Sequence, residues 1–98
     1  MALIRCGAGN ELGNFALKQN SGSNTISDCV IGKDYLIAKA GGVSQTLSVT
    51  GGTYNELATM VVGGTSEVYY GVITATATTI TLSGVGSATS TLIVFEIN

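Results

Sequence analysis

The sequence predicts an all-β fold: a single antiparallel β-sandwich or jelly-roll-like domain over residues 1–98, with about seven or eight short strands. Three observations carry that expectation. Glycine pairs at Gly41-Gly42, Gly51-Gly52 and Gly63-Gly64 punctuate the chain at ten- and twelve-residue spacing, the rhythm of tight turns between short strands. The last third alternates with period two, placing Tyr69, Ile73 and Ala75 on one side and Thr74 and Thr76 on the other. Thr, Val, Ile and Tyr are frequent, side chains that fit a pleated surface, and the chain has no proline.

Taken in order, Ala2–Cys6 is a short strand and Gly7–Gly13 a glycine-rich loop. That loop resembles a dinucleotide-binding fingerprint only superficially, since its third glycine comes one residue late and no amphipathic helix follows. Phe15–Gln19 is a second short strand or irregular edge, and Asn20–Asn24 a surface loop by composition. Thr25–Ile31 reads as a strand, and Gly32-Lys33-Asp34 turns the chain into a clear one over Tyr35–Ala40. Gln45–Val49, with Leu47 and Val49 inward, and Tyr54–Val62 fill the intervals between glycine pairs. A helix over Glu56–Val62 is disfavoured by the bracketing Gly52 and Gly63 and by a β-branched end.

After Val68–Ala75 the alternation changes phase at Thr78-Thr79, so that Ile80 and Leu82 carry the apolar side; such a flip marks a turn or bulge. Ser83–Ser90 makes a flexible tip. Thr91–Ile97 then returns with Ile93, Phe95 and Ile97 on one face and Leu92 and Val94 on the other. A strand apolar on both faces is expected to be sandwiched, by the rest of the fold or by another copy of the chain.

Charged residues make up only 10% of the chain, where a globular domain usually has roughly 25%. Such a weakly charged, hydroxyl-rich surface suits coverage by neighbours. Without proline and with few charges, the strand edges lack their usual guards, which favours a homo-oligomer or larger assembly. The four cations, Arg5, Lys18, Lys33 and Lys39, form no stripe, so nucleic acid is excluded as a partner. No apolar run is long enough to cross a bilayer as a helix, and no membrane partner is expected. The start Met1-Ala2-Leu3-Ile4-Arg5-Cys6 lacks the order of a secretory signal.

Catalytic chemistry finds little material. The chain has no histidine, which removes the usual general base and the nucleophile–histidine arrangements. The carboxylates Glu11, Asp28, Asp34, Glu56, Glu67 and Glu96 are scattered over different elements, with no pair in an obvious cleft. Asn24, Asp28 and Asp34 match no calcium loop, and Asp34 is better read as stabilising the turn before its strand. Cys6 and Cys29 are expected to be buried free thiols rather than a disulfide. No enzyme activity, cofactor or metal is expected. Tyr35, Tyr54, Tyr69 and Tyr70 suit core or intersubunit packing, or alternatively stacking on a ligand. For partner contact the candidates are Leu92 and Val94, with Tyr69 or Tyr70 beside them.

In style the chain resembles the small all-β structural proteins of tailed bacteriophage particles, the capsid-decorating and auxiliary virion proteins. The strings that carry this are Met1-Ala2-Leu3-Ile4, Asp34-Tyr35-Leu36-Ile37, Gly71-Val72-Ile73-Thr74-Ala75-Thr76 and Leu92-Ile93-Val94-Phe95-Glu96-Ile97. The resemblance implies a subunit that oligomerises, as a trimer for example. It would bind other virion proteins such as the major capsid protein, do no chemistry, and reside in the virion after assembly in the host cytoplasm. The alternative is a phage tail or fibre module recognising cell-surface glycans through Tyr54, Tyr69 or Tyr70.

Overall fold

A computed structural model describes residues 15–42, 45–64, 66–85 and 91–97. The strand expected at Ala2–Cys6, the loop Gly7–Gly13, Cys6 and most of the tip before Thr91 lie outside these residues. Among the described residues the fold is all-β, with eight strands in two antiparallel sheets. The strands are β1 (Phe15–Ser21), β2 (Thr25–Ile26), β3 (Asp34–Gly42), β4 (Ser48–Thr50), β5 (Gly52–Val62), β6 (Ser66–Ala75), β7 (Ile80–Ser83) and β8 (Thr91–Ile97). A five-stranded sheet has the order β1-β8-β3-β6-β5, and a three-stranded sheet the order β2-β7-β4.

The two sheets share one core. Tyr35 and Ile37 of β3, Tyr69, Ile73 and Ala75 of β6, and Leu92 and Val94 of β8 are buried on the inner face of the large sheet. Ile26, Ile80 and Leu82 of the small sheet, with Cys29, Leu47 and Val85 from its connections, complete the cluster. The change of phase at Thr78-Thr79 is therefore the point where the chain leaves the large sheet for the small one. Segment 27–33 is stitched to the end of β6 by main-chain bonds from Cys29 N to Thr78 O (2.8 Å), Gly32 N to Ala75 O (2.8 Å) and Ala75 N to Lys33 O (3.0 Å).

Several local expectations change; the strand expected at Gln45–Val49, for one, is narrowed to Ser48–Thr50. The strand expected at Thr25–Ile31 is paired only at Thr25–Ile26, because Asp28 takes a positive φ of 56° and turns the chain away. Asp is among the few non-glycine residues that tolerate this region. Gly41-Gly42, read as a hairpin turn, instead continues β3. A Cβ on Gly41 would lie 2.5 Å from the Val85 carbonyl oxygen, so this glycine admits a close backbone rather than reversing the chain. Gly63-Gly64 does make a turn, with both residues at positive φ (66° and 76°), and it joins β5 to β6.

Candidate functional site

The small sheet covers only part of the inner face. Beyond Tyr54 on β5, the floor of the large sheet opens into a cleft of about 530 Å³. Antiparallel pairing places its residues: Tyr54 is opposite Ile73, Glu56 opposite Gly71, and Thr59 opposite Tyr69. Glu67 stands one inward position from Tyr69, and the segment Gln45–Leu47 forms the opposite wall. Gly71 makes room for Tyr54, since a Cβ there would collide with the ring; the tyrosine lies against the glycine.

Both hydroxyls in the cleft are held protonated. Burial, then the charge of Glu56, then neighbouring Tyr69, push Tyr54 up to about 12. Burial, followed by Glu67, also raises Tyr69. The Tyr69 hydroxyl lies 3.1 Å from each of the carbonyl oxygens of Gly42 and Gln45, bracing the start of the 45–47 wall against β6. The Tyr54 hydroxyl is buried and has no hydrogen-bond partner among the described residues. Hydrogen bonds to a polar ligand would therefore come from lining side chains such as Glu56, Thr59 and Gln45 rather than from the two hydroxyls, and neither tyrosine transfers protons near neutral pH.

The second feature is the other side of the large sheet, where no described element packs. Outward positions are Leu36, Ala38 and Ala40 on β3, Val68, Tyr70 and Val72 on β6, and Ile93, Phe95 and Ile97 on β8, all half-buried. Leu17 on β1, opposite Phe95, and Met60 on β5, opposite Val68, extend the row and are 58% and 52% exposed. The charged outward position, Asp34, sits at the rim and accepts a hydrogen bond from the Thr74 hydroxyl.

The residues expected at a partner contact divide between the two faces. Leu92 and Val94 are both 0% exposed in the core, so they have no surface left for a partner. Their period-two alternation with Ile93 and Phe95 fixes the reason: when one pair faces the small sheet, the other must face out. Tyr69 is likewise core, at 3% exposure, and Tyr35 is fully buried with its hydroxyl accepting the Val30 N–H (2.8 Å). Tyr70 is outward, between Ala38 and Ala58. Sequence reasoning recognised both faces of β8 and placed its partner candidates Leu92 and Val94 on the one that the structure buries; Glu56 and Thr59 meet at the cleft through the β5–β6 register, and Gln45 through its carbonyl at the Tyr69 hydroxyl, neither of which alternation along the chain encodes.

The remaining candidates have structural surroundings. Cys29 is buried and unpaired, its thiol directed at the Ile26 carbonyl (3.5 Å), and burial raises its pKa. Glu96 pairs with Lys33 at 3.0 Å. Among the described residues no group of three or more His, Cys, Asp or Glu side chains is placed to hold a metal ion. The edges of the large sheet each carry a register shift, at Lys18 in β1 and at Leu57 in β5, and such bulges discourage pairing. Compared with known proteins, the chain matches no family model, no curated protein and no solved structure.

Proposed function

We propose that this protein is a non-enzymatic structural assembly subunit that works as a homo-oligomer, in the manner of a bacteriophage capsid decoration or auxiliary virion protein. The observation that supports this reading is the outward face of the five-stranded sheet. Soluble monomers rarely expose a contiguous apolar patch of more than a few hundred Å², whereas here the outward positions at the centre of β8, β3 and β6 are apolar and no described element covers them. The virion setting rests on the stylistic resemblance alone. Light scattering at two concentrations tests the reading: a discrete oligomer is expected, and a monomer at both, with no binding to phage shells, refutes it.

A second reading, a glycan-binding module, draws on the cleft beside Tyr54, where an aromatic ring has Glu56 and Thr59 beside it, the kinds of group a sugar ring uses. A glycan array tests it. Signal abolished by Tyr54→Ala favours this reading, and an empty array removes it.

A further inference from the structure

We infer that the outward face of the five-stranded sheet binds the same face of a second copy, giving a two-fold dimer of four stacked layers. The inference rests on the assembly reading above and specifies its contact.

Size selects the occupant. Five strands about 4.8 Å apart, each contributing about seven residues at about 3.3 Å, present roughly 550 Å² of projected face. A second copy offers the same area, and the pair removes roughly 1,100 Å², above the ~1,000 Å² that a specific interface needs.

Chemistry agrees with size. Like faces can meet only where like charges do not, and the centre of this face has none; Asp34 stands at the rim, engaged with Thr74. Packed sheets also need somewhere to interdigitate. The middle strand, β3, supplies small residues at Ala38 and Ala40, while its neighbours supply Tyr70, Ile93 and Phe95. Large side chains from one copy therefore meet a shallow furrow in the other, which is the self-complementarity of a two-fold contact.

The test uses the full-length chain. Wild type is expected to be a dimer by light scattering, and Phe95→Lys to weaken association by at least about 100-fold by burying an unpaired charge, with the β-sheet circular dichroism kept. A folded Phe95→Lys that keeps its dimer mass overturns the inference and leaves the assembly reading standing, as does a wild-type trimer. A wild-type monomer overturns the inference and, where it also binds no phage shells, the assembly reading with it. If Phe95→Lys does not fold, Ala38→Cys decides. Placed near the two-fold across sheets about 10 Å apart, it is expected to give a covalent dimer with a short bis-maleimide, over the wild-type background from Cys6 and Cys29. No dimer above that background overturns the inference.

Discussion

Lys39 gives the most direct test of the core. It lies on the inner face of β3, between Tyr69 and Leu92 in register, and is 0% exposed. Its Nζ has no hydrogen-bond partner among the described residues, and burial lowers its pKa from 10.5. Replacing it with methionine keeps most of the stem and removes the stranded nitrogen. A buried polar group without a partner costs about 1–3 kcal/mol, and the small loss of volume returns less than about 1.5 kcal/mol of that. Lys39→Met should therefore raise stability by about 1–2 kcal/mol, or roughly 4–16 °C in Tm for a domain of this size. The pH dependence supplies a second reading of the same group. The unfolded chain holds a proton on Lys39 that the folded chain has released, so this contribution makes stability rise with pH between the lowered folded pKa and 10.5. Cys29, Tyr54 and Tyr69 act in the opposite sense above 9.0 and 10.0, because their folded pKa values are raised and the unfolded chain ionises first. These three cancel in the difference between variant and wild type. That difference, from thermal melts, should shrink as pH rises toward 10.5. A variant less stable than wild type, or a difference that stays flat through 10.5, would refute the reasoning.

Three further outcomes follow from other sites. Gly41→Ala puts a methyl group 2.5 Å from the Val85 carbonyl oxygen and should cost about 1–3 kcal/mol in denaturant unfolding, unlike a substitution at an open surface position. Glu56→Gln should lower the ionisation of Tyr54 from about 12 in an absorbance titration, yet leave it above the ordinary 10.0, because burial is the larger cause. Glu96→Gln breaks the half-exposed pair with Lys33 and should cost less than about 1 kcal/mol, the smaller part of it surviving in high salt.

Most strands were legible because their cause is local. Period-two alternation marks β3, β6 and β8 from the chain itself, and the phase flip at Thr78-Thr79 marks a turn or bulge, though not that β7 beyond it belongs to the other sheet. Glycine was harder. The same pair of letters closes a hairpin at Gly63-Gly64 and lies within a strand at Gly41-Gly42, and only the Val85 backbone above Gly41 separates the two cases. Asp28 ended its strand through a left-handed backbone that alternation does not encode. The burial of Lys39 was not legible either, since a cation within a strand is ordinarily solvated and only the β3 pairings place it inward.

The deepest ambiguity was one of parity. A strand such as β8, apolar at every position from Leu92 to Phe95, carries no polar side to show which way is out. Its neighbours decide. Leu92 and Val94 share rows with Lys39 and Ile37, while Ile93 and Phe95 share rows with Ala38 and Leu36. The small sheet has Ile26, Ile80 and Leu82 to bury and can cover only one side. The two faces therefore cannot exchange roles without a one-residue slip in every pairing of the sheet. A charge at Val94 should for that reason unfold the domain, whereas one at Phe95 acts on the surface. The contrast between Val94→Asp, read by thermal unfolding, and Phe95→Lys, read by mass, separates core from contact within a single strand. Equal loss of folding in both would mean that the outward face is also part of the folded core.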